Sequence, residues 1–65
     1  MIVLVNEKRV EVDEPTTIAA LLESMGFPDR GIAVALDWSV LPRSDWETEL
    51  FEGARIEVVT AVQGG

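Results

Sequence analysis

The chain has 65 residues, 48% of them hydrophobic and 26% charged, a length that supports one small domain with a shallow core and excludes an enclosed substrate cavity. Five Lys and Arg against twelve Asp and Glu give a formal charge of −7, which disfavours nucleic acid and anionic membrane and favours a protein partner with a basic surface. Cysteine and histidine are both absent, so disulfides, thiolate nucleophiles, persulfide carriers, the usual zinc ligands and the usual neutral-pH general base are all excluded.

Ile2 to Val5 reads as a strand, Asn6 to Lys8 as a turn, and Arg9 to Val12 as a second strand alternating charged and apolar residues. The apolar opening is too short for a signal-peptide core or a membrane span, and the expected location is cytoplasmic. Asp13, Glu14, Pro15, Thr16 and Thr17 carry helix-start signals: hydroxyls that can accept a backbone N–H and acids near the positive helix end. Ile18, Leu21, Leu22 and Met25 then follow at helical spacing and are expected on one buried face. Gly26 suits a left-handed C-terminal residue, Phe27 can pack back onto Leu22, and Pro28 stops the helix.

Ile32 to Leu36 is a third strand, with Ile32, Val34 and Leu36 facing the helix and Ala33 and Ala35 facing away. Asp37 to Ser39 turns the chain into Val40, Leu41 and Pro42, a short segment that proline confines to a sheet edge. Ser44 to Phe51 is a connection with room for one helical turn. After Glu52 and Gly53 the last strand runs from Arg55 to about Val62, with Ile56 and Val58 inward and Arg55, Glu57 and Val59 outward. The expectation is an α+β domain over residues 1–65: a mixed four- to five-stranded sheet with one helix packed on one face. The uncovered face, with Val59, Ala61, Ala33 and Ala35, is either a docking patch or ordinary scattered apolar surface.

The element order, with a last strand running into Gly64 and Gly65, resembles the ubiquitin-like β-grasp fold over essentially the whole chain. More narrowly it resembles the ThiS family, sulfur carriers of bacterial thiamine biosynthesis. The residues behind this are Ile32 to Leu36 before a turn, Leu41-Pro42-Arg43 with Trp46, Gly53 before Arg55 to Val58, and Val62-Gln63-Gly64-Gly65. Asp37-Trp38 and Ala54 depart from the residues such carriers often have there, which bears on the partner surface and not on the tail.

The resemblance implies a carrier that is not itself an enzyme and binds no cofactor. An E1-like adenylating enzyme of the ThiF type, holding ATP and magnesium, would convert the Gly65 carboxylate to an acyl-adenylate. Sulfur from a donor protein would then displace AMP and leave a terminal thiocarboxylate, which a thiazole synthase of the ThiG type would consume. Glycine suits such a terminus because it has no Cβ to obstruct a narrow channel and no restriction on φ. A flexible tail of about residues 61–65 would reach at most roughly 18 Å beyond the sheet. The docking residues on this reading are Val59, Ala61, Val62 and Arg43.

Two alternatives remain at this level: the same chemistry serving molybdopterin or another sulfur-transfer pathway, and a β-grasp binding module whose tail has no chemical role. Asp45, Glu47 and Glu49, and Glu11, Asp13 and Glu14, read as solvated rims and not as metal ligands or paired acids. Trp38 and Trp46 are expected to close the open end of the core, with partner anchoring the alternative. Arg43 reads equally as a cation for a partner and as a solvated residue ending an edge strand.

Overall fold

The computed structural model describes residues 1–60. The predicted tail 61–65, with Ala61, Val62, Gly64 and Gly65, lies outside the described residues.

Strands β1 (Ile2–Val5) and β2 (Lys8–Glu11) form an antiparallel hairpin in which Val5 stands opposite Lys8. Only Asn6 and Glu7 lie between them, both at positive φ, 50° and 69°. Two residues in the left-handed region turn the chain with a twist that suits the flanking strands, and Asn accepts that region more readily than most residues. The turn is therefore one residue shorter than its polarity suggests, and pairing begins at Lys8 instead of Arg9.

Helix α1 spans Ile18–Ser24, and Thr17 caps it by accepting a hydrogen bond on Oγ1 from the Ala20 amide at 3.1 Å. At its other end Gly26 has φ 83°, and the amides of Gly26 and Phe27 donate to the carbonyls of Glu23 and Leu22, each at 3.0 Å. That is the expected Schellman ending, with Phe27 packed against the core. Met25 departs from expectation. The helix closes before it can bring this residue onto the buried face, Phe27 fills that end instead, and Met25 is left 41% exposed as the C-cap.

Strands β3 (Ile32–Leu36) and β4 (Ser39–Leu41) make a second tight hairpin through Asp37 and Trp38, at φ 48° and 74°. A 3-10 turn at Arg43–Asp45 opens the connection to β5 (Arg55–Thr60). The connection is tied to the helix start: the Ile18 and Ala19 amides donate to the Thr48 and Trp46 carbonyls at 3.1 and 2.9 Å, and the Leu50 amide to the Thr16 carbonyl at 2.9 Å. Two amides that the helix cannot satisfy by itself are thereby paired.

The sheet order is β2-β1-β5-β3-β4, with β1 and β5 parallel and all other neighbours antiparallel. The last strand is thus central. Ile18, Leu21 and Leu22 of the helix bury against Val3, Val5, Val34, Ile56 and Val58 of the sheet, and Trp46, Leu50 and Ala54 complete the core. Ile32 and Leu36 are half-buried against it, as their alternation with alanine predicts.

Nothing lies within 4 Å of where a Cβ at Gly26 would go, so a side chain there strains only the backbone. Gly26→Ala should therefore lower unfolding free energy by about 1 kcal/mol, and Gly26→Asn by less, since Asn visits the left-handed region at smaller cost. Urea titrations should show the midpoint shift with an unchanged slope.

Candidate functional site

The site begins where β5 leads toward the last residues. On one side β5 is paired with β3 as far as Ile32 opposite Thr60. On the other it is paired with β1 only through Leu4 opposite Arg55 and Val5 opposite Ile56. Beyond that the chain of β1 turns away, and the side chain of Asn6 takes over. Its Oδ1 accepts from the Val58 amide at 2.8 Å and its Nδ2 donates to the Val58 carbonyl at 3.2 Å. Sequence reading assigned Asn6 only to a turn; a sheet order placing that turn beside the last strand was needed to see more.

Cross-strand register places Val59 opposite Ala33, and Glu57 opposite Ala35, which in turn faces Val40. These residues share the face away from the helix, because Val34, Ile56 and Val58 between them are buried on the other side. Val59 is 62% exposed and Val40 80%. Arg55, on the same face, lies 3.8 Å from Glu57, and its guanidinium stacks 4.7 Å from the ring centre of Trp38. The face is mildly apolar, with one ion pair across it.

The two tryptophans part company. Trp46 is buried, its Nε1 donating to the Leu41 carbonyl at 3.3 Å, and it closes the core as expected. Trp38 does not: at 71% exposure it stands outside, because the two-residue turn at positive φ carries its side chain over Arg55 and away from the core. Asp37 fastens this turn to β5, its amide donating to the Arg55 carbonyl at 2.8 Å and its Oδ1 accepting from the Arg55 amide at 2.9 Å.

Arg43 is not brought together with Val59. It belongs to the helix side, stacked 4.8 Å from the Trp46 ring centre, with Nη1 donating to the Asp29 carbonyl and Nη2 lying 4.0 Å from the Asp29 carboxylate. It borders a shallow groove with Ala20, Glu23, Phe27 and Trp46. The acids at 11, 13, 14, 45, 47 and 49 are all exposed, and no group of three metal-ligating side chains gathers among the described residues. No helix among the described residues is long and apolar enough to cross a membrane.

A five-stranded mixed sheet in this order, with one helix across one face and its central strand leading to Gly-Gly, defines a small ubiquitin-like β-grasp protein. The profile of the ThiS family matches residues 2–65, and the chain belongs to that family of small sulfur carrier proteins. Among solved structures it is similar to the crystal structure of the thiamine biosynthesis protein ThiS from Geobacter metallireducens. That likeness has a TM-score of 0.84 at 28% identity and covers 100% of both chains. The solution structure of a thiamine biosynthesis protein from the same organism aligns with a TM-score of 0.79 at 28% identity, covering 100% of this chain and 88% of the other. No curated protein sequence gives a significant match.

Trp46→Ala should cost about 3–5 kcal/mol, most of the stability of so small a domain, whereas Trp38→Ala should cost no more than about 1 kcal/mol. Fluorescence gives an independent check. Trp38→Phe should leave a blue-shifted emission from buried Trp46, and a red-shifted spectrum from that variant would contradict the assignment.

Proposed function

We propose that this protein carries sulfur for thiazole formation in thiamine biosynthesis, on the carboxyl group of Gly65. The observation that carries the reading is the family match over residues 2–65, a span that takes in both final glycines. In the first step the Gly65 carboxylate attacks the α-phosphate of ATP on an adenylating enzyme, forming the acyl-adenylate and expelling pyrophosphate. In the second, the outer sulfur of a donor protein's persulfide attacks the acyl carbon and AMP leaves; a thiol then attacks the donor's sulfur, the S–S bond breaks with formation of a disulfide on the donor, and a thiocarboxylate remains for a thiazole synthase. ATP, magnesium and the sulfur relay belong to the partners, and the carrier is a co-substrate and not a catalyst.

Gly64 contributes access: without a Cβ the backbone can pass close to nucleotide and sulfur donor. Val59 marks the docking face, with Ala33, Ala35 and Val40 around it, and Ala61 and Val62 are further residues assigned to partner contact. A partner reaching Arg43 does so from the helix side, across the groove. The charge of −7 favours basic surfaces on these partners.

Incubated with its adenylating enzyme, ATP and a sulfur source, the protein should gain mass equal to the exchange of one oxygen for one sulfur. Deleting Gly65 should abolish that gain without lowering the melting temperature, since the buried core residues among those described all precede Val59. An unmodified wild-type protein under those conditions would refute the carrier reading. Val59→Arg should raise KM for adenylation about tenfold or more, the scale of a contact worth about 1.4 kcal/mol, while leaving the fold intact.

A further inference from the structure

We infer that Asn6 is a positioning residue for the terminal carboxyl, acting as a clamp that holds the end of β5 from its β1 side; this rests on the carrier reading above. Along β5 the carbonyls of Ala54, Ile56 and Val58 meet, in turn, the Leu4 amide at 2.8 Å, the Asn6 amide at 2.9 Å and the Asn6 side-chain Nδ2 at 3.2 Å. The third donor continues the spacing of the first two although β1 has already ended. Continued as a parallel ladder, β1 would offer Val58 one acceptor and one donor from successive peptide groups. The Asn6 amide offers both, and Oδ1 receives the Val58 amide at 2.8 Å.

The turn is what makes this possible. At φ 50° Asn6 points its own main chain into the hairpin, and its side chain is left beside β5 in place of further strand. A carboxamide is the group that fits, because it carries a carbonyl and an N–H₂ side by side as the backbone does. Without it, β5 is paired past Ile56 only with β3, and the last residue held from both sides moves back from Val58 to Ile56. Pairing with β3 still runs as far as Thr60, so what is lost is the second support of Val58 and not any length of tail. The loss is one of orientation, for reacting groups displaced by about 1 Å can lose rate as much as about a hundredfold.

Asn6→Gly is the decisive variant, because glycine keeps the positive φ of the turn and removes only the amide. Amide hydrogen exchange on the whole protein should show Val58 exchanging at least about tenfold faster, with Leu4 unchanged. Steady-state adenylation should show kcat reduced about fivefold or more and KM within about twofold, the split expected when docking is intact and the reacting group is misplaced. Asn6→Asp, which can accept from the Val58 amide but cannot donate to its carbonyl, should fall between the two and remains informative if the glycine variant folds poorly. Unchanged Val58 exchange would overturn the clamp. Fast Val58 exchange with wild-type kcat would overturn the positioning role and leave Asn6 a sheet-end fastening. If wild-type protein is not adenylated at all, the carrier reading fails and the positioning role with it, while the exchange measurement still decides the clamp.

Discussion

Everything in this fold waits on the insertion of β5 between β1 and β3. Ile56 is completely buried, and the strand has a hydrogen-bonded neighbour on each side. Its pairing with β1 joins opposite ends of the chain, Leu4 with Arg55 and Val5 with Ile56, so the closure entropy of nearly the whole chain opposes it. Once inserted, the strand is the best-held part of the sheet. In the proposed carrier, the reactive group is thus tethered to the element least able to drift.

A second constraint is one of area. Helix α1 has seven residues and is about 10 Å long at 1.5 Å per residue, while five strands at 4.8 Å spacing span about 19 Å. One short helix cannot keep such a sheet dry. Trp46, Leu50 and Ala54 supply the missing cover, and they come from a connection with little regular structure of its own. That connection holds its place because its carbonyls pair with the helix-start amides and its Leu50 amide with Thr16. With the apolar supply spent on one side, the opposite face is left open, and it presents exposed Val59 at its centre and Val40 at its edge, with Trp38 lying over Arg55.

Period and punctuation were enough to read β1, the body of α1, its Gly26 ending, β3 and the start of β5, because each rests on neighbours within a few residues. The two hairpin turns were legible only as turns. Asn6-Glu7 and Asp37-Trp38 lack the glycine that advertises positive φ, and a tryptophan at φ 74° is stabilised by its stack on Arg55, a residue from another strand. Met25 was misplaced by periodicity because the helix stops one residue too soon for the pattern to hold. From the element order and the Gly64-Gly65 pair the family could be read. The Asn6 clamp could not, since nothing in the sequence says that residue 6 lies beside residue 58.

The distribution of charge separates long-range attraction from contact. Arg55 is paired with Glu57 and covered by Trp38 on the open face, so the centre of that face carries no net charge. The acid excess lies elsewhere, on the exposed residues Asp13, Glu14, Glu23, Asp45, Glu47 and Glu49 around the helix and the connection. At physiological salt the field of such charges is screened beyond about 8 Å, yet clustered acids still bias encounter toward basic partners. The surface that must finally lose its water in the proposed complex is apolar and locally neutral, so the desolvation cost that burdens buried charges falls mostly outside it. Attraction is assigned to one side of the molecule and close contact to the other, and β5 runs through the second on its way to Gly65.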